Sequence, residues 1–418
     1  MSDSAPPSLW RLKTFRYIWG GQTASIFGDR VTGLALPWLI LSRTHSAFDA
    51  GLVSAARYLP FITLGLVAGV AADRMDRRAL MVACDVARAL ALGAIVVLGL
   101  LGLSPPLWLL ALVVLALGAG GLLFEVAYRA WLPDVTGDRL LGRATAALEA
   151  SDAAGTLAGP PLGGALVGAI GPVLALGADA SSNIVSALTL MRARADVPPH
   201  GATPARRDGS TRLADAWRDA GAGARFILAS PAQRLLKGVG AALYLDTGAV
   251  ELLLATLAQL RLHLPPWQAG LVFGAAGVGG LIGAAAAPRF EGIGWRRGLA
   301  AACAVAALGS LGLCWACVLD PTRGFIVALV ANLVLDGGVA LGFILVVTAG
   351  ALVTPRTLRG RVNAAGAIYS STVRAVAVAG AGLLAARGDP LPAFALLACC
   401  LLAAALVALR ASIRRVPA

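Results

Sequence analysis

The sequence predicts an all-α membrane protein: twelve transmembrane helices in two six-helix repeats, with both termini cytoplasmic. Three observations carry that expectation. Of 418 residues, 58% are hydrophobic and only 14% charged, with a mean hydropathy of +0.79, whereas a soluble domain is roughly half apolar and a quarter charged. Apolar residues run on without alternation in stretches matching the roughly 20 residues a membrane helix needs, and this continuity excludes a β-barrel. The third observation is where the positive charge falls.

The apolar segments lie at about 15–42, 47–72, 79–103, 107–133, 141–169, 172–192, 231–262, 267–288, 298–319, 324–353, 362–386 and 390–410. Ser104-Pro105-Pro106, Gly171-Pro172, Pro265-Pro266, Asp320-Pro321 and Gly388-Asp389-Pro390 punctuate them with turn chemistry. The first segment follows Arg11, Lys13 and Arg16 as a signal peptide's apolar region does. Asp29-Arg30 interrupt it and it continues past Pro37, so it reads as a retained span. The one long polar stretch, 193–230, reads as a cytoplasmic linker with an interfacial helix near Leu213–Leu228, between halves at 1–192 and 231–418.

Lys and Arg number 35 against 22 Asp and Glu. Most of the cations fall in the N-terminus, alternate loops, the linker and the C-terminus, whereas Arg43, Arg261, Arg323 and Arg387 mark the other side. Positive loops stay cytoplasmic, so the net charge of +13 is explained by topology, and nucleic acid is not an expected partner. Six cysteines lie in apolar stretches and read as packing residues, Cys314-x-x-Cys317 included. Lys13 and Lys237 are the only lysines and neither has a P-loop context, and His45, His200 and His263 are unclustered. The expectation is no enzyme, no metal and no cofactor.

The halves repeat. Ala50-Gly51-Leu52-Val53 recurs as Ala269-Gly270-Leu271-Val272 and Arg77-Arg78-Ala79-Leu80 as Arg296-Arg297-Gly298-Leu299, while Asp29 has a counterpart in Asp246. Duplicated halves with a site between them are an architecture of rocking transporters.

Between spans two and three the chain reads Gly69-Val70-Ala71-Ala72-Asp73-Arg74-Met75-Asp76-Arg77-Arg78. This resembles the cytoplasmic loop signature of the major facilitator superfamily, with Gly69, Asp73, Arg74, Arg77 and Arg78 on the matching positions and Asp76 in place of the second glycine. Gly155, Gly159, Pro160, Gly163 and Gly164 in span five are similar to the superfamily's antiporter signature: glycines four apart let helices touch, and proline bends the helix. Phe124–Pro133, Leu148-Glu149-Ala150-Ser151, Asp179-Ala180-Ser181-Ser182 and Leu34–Trp38 resemble the third drug:proton antiporter branch, which includes macrolide-efflux and enterobactin-exporter-like proteins. The branch likeness is stronger in the N-terminal half; Ala287–Gly292 is a degraded copy of the loop signature, and Val113-Val114 stand where classical drug antiporters carry an arginine.

Ionisable groups inside spans are costly and face a partner or a cavity. Asp29, Asp246 and Asp336 lie near the middle of their spans, and with Glu125 they are the proton-coupling candidates. Glu125 pairs with Arg129 at i+4 and Asp85 with Arg88 at i+3; Glu149, Asp152 and Asp179 read as interhelical bridges, and Glu251, Arg30, Arg57 and Arg374 have no evident partner. Trp38, Tyr58, Phe61, Tyr244, Phe273, Phe343, Tyr369 and Arg374 are the candidate cavity contacts.

The resemblance implies a monomeric, multi-pass transporter of the cell membrane. It would export a small amphipathic molecule (a drug, antibiotic, siderophore or secondary metabolite) in exchange for protons. A proton-coupled importer of the same fold and a non-transporting membrane sensor are the alternatives. Membrane lipids are the other expected contact.

Overall fold

The structure is a computed structural model and describes residues 9–65, 68–69, 75–193, 213–291 and 294–410. Helices joined by short turns make up these residues. The helices are α1 (Lys13–Thr44), α2 (Ala47–Ala55), α3 (Leu59–Thr63), α4 (Arg77–Leu100), α5 (Leu107–Arg192), α6 (Leu213–Ala229), α7 (Pro231–Thr256), α8 (Pro266–Glu291), α9 (Trp295–Ala316), α10 (Pro321–Val353), α11 (Arg359–Leu384) and α12 (Leu391–Arg410). Among the described residues nine helices are long and apolar enough to cross a membrane. Asp73 and Arg74 of the loop motif lie outside the described residues.

One element differs from the segments read off the sequence, and one long run contains three of them. The segment beginning at residue 47 is no single helix in its described part: α2 gives way to a 3-10 turn, Ala56–Tyr58, before α3. Pro60 has no N–H to return to the residue-56 carbonyl, so the α-helical ladder cannot continue there. The stretch 107–192, a helical run of 86 residues, is interrupted at Gly137 (φ 65°) and Gly171 (φ 82°), between the segments read at 107–133, 141–169 and 172–192. At 1.5 Å per residue an unbroken helix of that length would reach about 130 Å, far beyond a bilayer. Glycine adopts positive φ without the penalty a side chain meets, and these two residues divide α5 into three arms.

Helix starts follow short-range chemistry. Ser46, Asp76 and Asp320 accept hydrogen bonds from the N–H groups of Asp49, Ala79 and Arg323 at 3.1, 2.7 and 3.1 Å, satisfying donors that have no intrahelical partner. Asp76, standing where the loop signature has glycine, is thus the N-cap of α4. Outward-facing apolar side chains such as Leu90, Leu308 and Val407, 69%, 63% and 54% exposed, fit a lipid-facing surface. Together the helices make a multi-pass membrane protein.

The duplication extends to contacts. Arg78 Nε donates to the Leu190 carbonyl at 2.7 Å and the same guanidinium binds the Met191 carbonyl; Arg296 Nε donates to Ala408 at 3.3 Å and its guanidinium binds Leu409. Each of these three positions is offset by 218 between the halves. Both arginines bind last-turn carbonyls, where a cation suits the negative end of the helix dipole. Arg77 bonds Asp134 at 2.7 Å and the Ala130 carbonyl at 2.9 Å.

The halves meet backbone to backbone at the end where α2 and α8 begin. A Cβ on Gly51 would lie 2.9 Å from Gly382 Cα of α11, and one on Gly164 would lie 3.0 Å from Gly270 Cα of α8. Gly51 and Gly270 are the two glycines of the repeated Ala-Gly-Leu-Val, so the repeat marks one inter-half contact on each side; Gly277 of α8 adds another, where a Cβ would lie 2.7 Å from Leu157 Cα.

Candidate functional site

A cavity of about 580 Å3 lies between the halves. Its walls come from α1, from the turn after α2, from the first two arms of α5, and from α7, α8, α10 and α11. All four carboxylates singled out in the sequence line it: Asp29, Asp246, Asp336 and Glu125. Tyr58, Phe61, Phe273 and Arg374 line it as well. The other aromatic candidates lie elsewhere. Trp38 is packed in the core, 8% exposed. Tyr244 and Phe343 pack ring on ring, with centroids 5.0 Å apart and the Arg374 guanidinium carbon 5.1 Å from the Tyr244 centroid. Tyr369 donates from its hydroxyl to the Lys237 carbonyl at 3.1 Å.

The carboxylates have unlike surroundings. Asp29 is ion-paired with Arg88. Arg88 stands 3.9 Å from Asp85, the partner expected one turn away on its own helix, and also reaches across to α1. Sequence separation shows only neighbours along a helix, so a partner 59 residues away was invisible. Asp246 is 2% exposed, and its Oδ1 has no hydrogen-bond partner among the described residues. Asp336 is within electrostatic reach of Asp246, and room for it is made by Gly280, whose Cβ would lie 3.0 Å from Asp336 Oδ2. Glu125 binds Arg129 at 2.6 Å, as its i+4 spacing suggested.

Charges that had no evident partner in the sequence are also gathered here. Arg30 binds Asp152 at 2.8 Å on the cavity wall. Arg57 from the N-terminal half and Glu251 and Arg374 from the C-terminal half all act on Tyr58 electrostatically. Asn332, absent from the sequence candidates, lines the cavity and bonds the Val272 carbonyl at 2.9 Å. Its polarity in an otherwise apolar run was the available signal. The cavity therefore offers both signs of charge, aromatic faces and apolar wall. Among the described residues no group of three or more His, Cys, Asp or Glu is arranged to hold a metal ion.

The glycines of the second arm of α5 shape one wall of the cavity. Cβ atoms on Gly155, Gly159 and Gly163 would strike Ile26, Arg30 and Val31 of α1 at 2.5, 2.4 and 3.1 Å, while Gly164 faces α8. The motif thus brings one arm of α5 against α1 in its own half and against α8 in the other, and Pro160 faces the cavity. Among the described residues, no atom lies within 4 Å of where a Cβ on Gly69 of the loop motif would stand.

Comparison with known proteins agrees with this architecture. The chain is 33% identical over 154 residues to the multidrug efflux pump Tap of Mycolicibacterium fortuitum, covering 35% of this chain and 37% of that one. It is 28% identical over 124 residues to macrolide efflux protein A of Streptococcus pyogenes, covering 30% of each. With the enterobactin exporter EntS of Citrobacter koseri the identity is 30% over 286 residues, covering 66% of this chain and 64% of the relative. The matched regions thus span between about a third and two thirds of these relatives. Two solved structures share the fold: a bacterial homologue of the iron transporter ferroportin in an inward-facing state (TM-score 0.73, 18% identity, 97% and 99% covered) and the nucleoside transporter NupG (TM-score 0.72, 12% identity, 95% and 99% covered). The sequence profile of the Major Facilitator Superfamily matches residues 18–378, and the chain belongs to that superfamily.

Proposed function

We propose that the protein exports a small amphipathic molecule in exchange for protons, by alternating access of a cavity between two six-helix halves. The observation that carries this reading is the cavity itself. Its volume of about 580 Å3 lies within the range of roughly 300–1,000 Å3 typical of sites for drug-sized ligands, and it draws wall from both halves. A cavity built that way changes sides when the halves rock, which is how duplicated transporters work. The Tap, macrolide and enterobactin relatives are efflux pumps or exporters, which favours outward transport of such a molecule.

Twelve spans with both termini cytoplasmic remain our reading. The two breaks in α5 and the broken helix at 47–63 support that number, and the alternation of positive loops supports the orientation. On that reading the glycine contacts close the external end. The polypeptide 193–230 is then a cytoplasmic linker whose α6 lies at the interface, and the loop arginines hold helix ends on the same side.

Proton exchange is assigned to the midspan carboxylates, with Asp246 first. A carboxylate without a countercharge in a membrane interior is costly, and binding a proton removes that cost. Asp336, Asp29 and Glu125 are the further candidates. Aromatic contact to cargo falls to Tyr58, Phe61 and Phe273, with Arg374 able to meet an anionic group. Cargo is found with a susceptibility panel in an efflux-deficient host expressing the gene. Purified protein in proteoliposomes with an imposed pH gradient then tests coupling. Asp246→Asn should abolish uphill efflux and spare downhill flux. Proton-driven accumulation of cargo instead would overturn export, and absence of any flux would overturn transport.

A further inference from the structure

The N-terminal half contains a buried charge cluster that the cavity alone does not explain. Asp179 of the third arm of α5 is fully buried and accepts hydrogen bonds from Thr32 Oγ1 at 2.6 Å, Asn183 Nδ2 at 2.8 Å and Ser182 Oγ at 3.3 Å. Gly28 makes this possible, because a Cβ there would lie 2.7 Å from Asp179 Oδ1. Arg88 of α4, 7% exposed, is ion-paired with Asp29 of α1 and stands 3.9 Å from Asp85. Asp85 has a side chain with no exposure at all. Arg88 on its own helix, Asp29 on α1, and Asp179 and Ser186 on α5 face it. Ser186 is its one hydrogen-bonding neighbour, and by strict geometry neither oxygen completes a hydrogen bond among the described residues.

Charge counting separates the three acids. With every group ionised, three carboxylates would face one guanidinium. Asp179 is held by neutral donors that favour its anion. Asp29 is 36% exposed to the cavity, so water shares its charge. Asp85 has no exposure, Arg88 only at 3.9 Å and Ser186 as its one other donor, and a carboxylate so poorly solvated and bonded is the costliest member of such a set. We propose that Asp85 is a second proton-binding site of this transporter, reached from the central cavity through Asp29 and Arg88.

The exchange balances as follows. In the loaded state Asp85 carries the proton and Arg88 pairs with Asp29. The proton leaves the Asp85 hydroxyl for an Asp29 oxygen while Arg88 turns from Asp29 to the new Asp85 anion. Asp29 then gives the proton to cavity water, and the cluster has lost one unit of positive charge. Reloading runs the same steps backwards. The proposal rests on the proton-exchange reading above and adds a proton site in the half opposite Asp246.

Infrared difference spectroscopy on the full-length protein, in nanodiscs of phosphatidylcholine and phosphatidylglycerol, tests the site without cargo. The wild type should show a protonated-carboxyl stretch that Asp85→Asn removes and Asp85→Glu retains at a shifted frequency. Asp29→Asn should keep the band but slow its exchange into D2O. A band unchanged by Asp85→Asn would overturn the proposal, as would unaltered exchange in Asp29→Asn. If Asp85→Asn fails to insert, Asp85→Glu decides: a band that does not shift sinks the assignment. The two readings fail separately. An Asp85-dependent band together with export indifferent to a pH gradient upholds the proton site and removes proton-driven export. Gradient-driven export with no Asp85-dependent band removes the site alone.

Discussion

Asp29 and Asp246 lie 217 residues apart, at corresponding points in the first helix of each half. Asp29 is ion-paired with Arg88 and partly open to the cavity, whereas Asp246 is enclosed with an oxygen that has no partner among the described residues. The difference comes from the helices behind them. At offsets of 217 to 219, the positions of Asp85, Arg88 and Asp179 fall in Ala302-Cys303-Ala304, Val305-Ala306-Ala307 and Leu396-Leu397-Ala398. In the other direction, Asn332 and Asp336 correspond to Val113-Val114-Leu115 and Leu117-Gly118-Ala119. Each half has kept the duplicated carboxylate and rebuilt its surroundings differently. The N-terminal half supplies a countercharge, and the C-terminal half supplies a second carboxyl. Duplication preserves the frame of the fold while leaving its polar interior free to diverge.

What has not diverged is the contact between the halves, and disturbing it should have the largest effect. A side chain at Gly51 or Gly164 would meet backbone of the opposite half at 2.9 Å or less. Backbone cannot yield as a flexible side chain does, and overpacking of this kind costs about 1–3 kcal/mol. Gly164→Leu should push the halves apart and abolish transport. Spin labels at Leu103 and Val318, both exposed, should report a longer separation. Gly93→Leu is the control, because nothing among the described residues lies within 4 Å of a Cβ there. Equal distances in both variants would remove the glycine contact as what holds the halves together.

Neutralising the paired and unpaired carboxylates should have opposite effects on stability. Asp29→Asn deprives buried Arg88 of its ion pair. Breaking a fully buried pair costs about 3–5 kcal/mol, and the loss here should be smaller, about 2 kcal/mol, because Asp29 is partly solvated and Asp85 and Asp179 remain near Arg88. Asp246→Asn removes a carboxyl that has an unsatisfied oxygen, so the melting temperature should hold or rise. Thermal unfolding of the two variants in the same detergent checks the contrast. Destabilisation of equal size in both would mean that the halves handle their carboxylates alike after all.

The frame of this protein was legible because it depends on composition along the chain. Apolar run length placed α1, α4 and α7 to α12 within a few residues, and Gly171-Pro172 announced one break in α5. The repeated Ala-Gly-Leu-Val showed that the halves correspond, but not that its glycines touch the other half. Pairings across helices were not legible. Arg88 was assigned to Asp85 and Arg30 to nothing, because a partner 59 or 122 residues away has no periodicity to betray it. The same limit applied to the aromatics. Tyr58, Phe61 and Phe273 reach the cavity, while Trp38 packs in the core, and helix rotation decides between the two.

The smallest effect concerns α6, the described part of the linker, which lies against α11. Asp219 binds Arg361 at 2.8 Å, with side chains 54% and 46% exposed. A pair so open to water contributes about 0–1 kcal/mol. The closer fit is at Gly223, where a Cβ would lie 2.1 Å from the Arg361 carbonyl. If close backbone approach docks α6, Arg361→Gln should raise amide exchange in α6 by no more than roughly fivefold, the equivalent of about 1 kcal/mol. Gly223→Leu should raise it far more and leave exchange in α4 unchanged. The opposite order, with Arg361→Gln releasing the helix and Gly223→Leu silent, would show that charge rather than packing holds α6. The C-terminal half would then keep its linker by a countercharge, the device its partner half uses at Asp29.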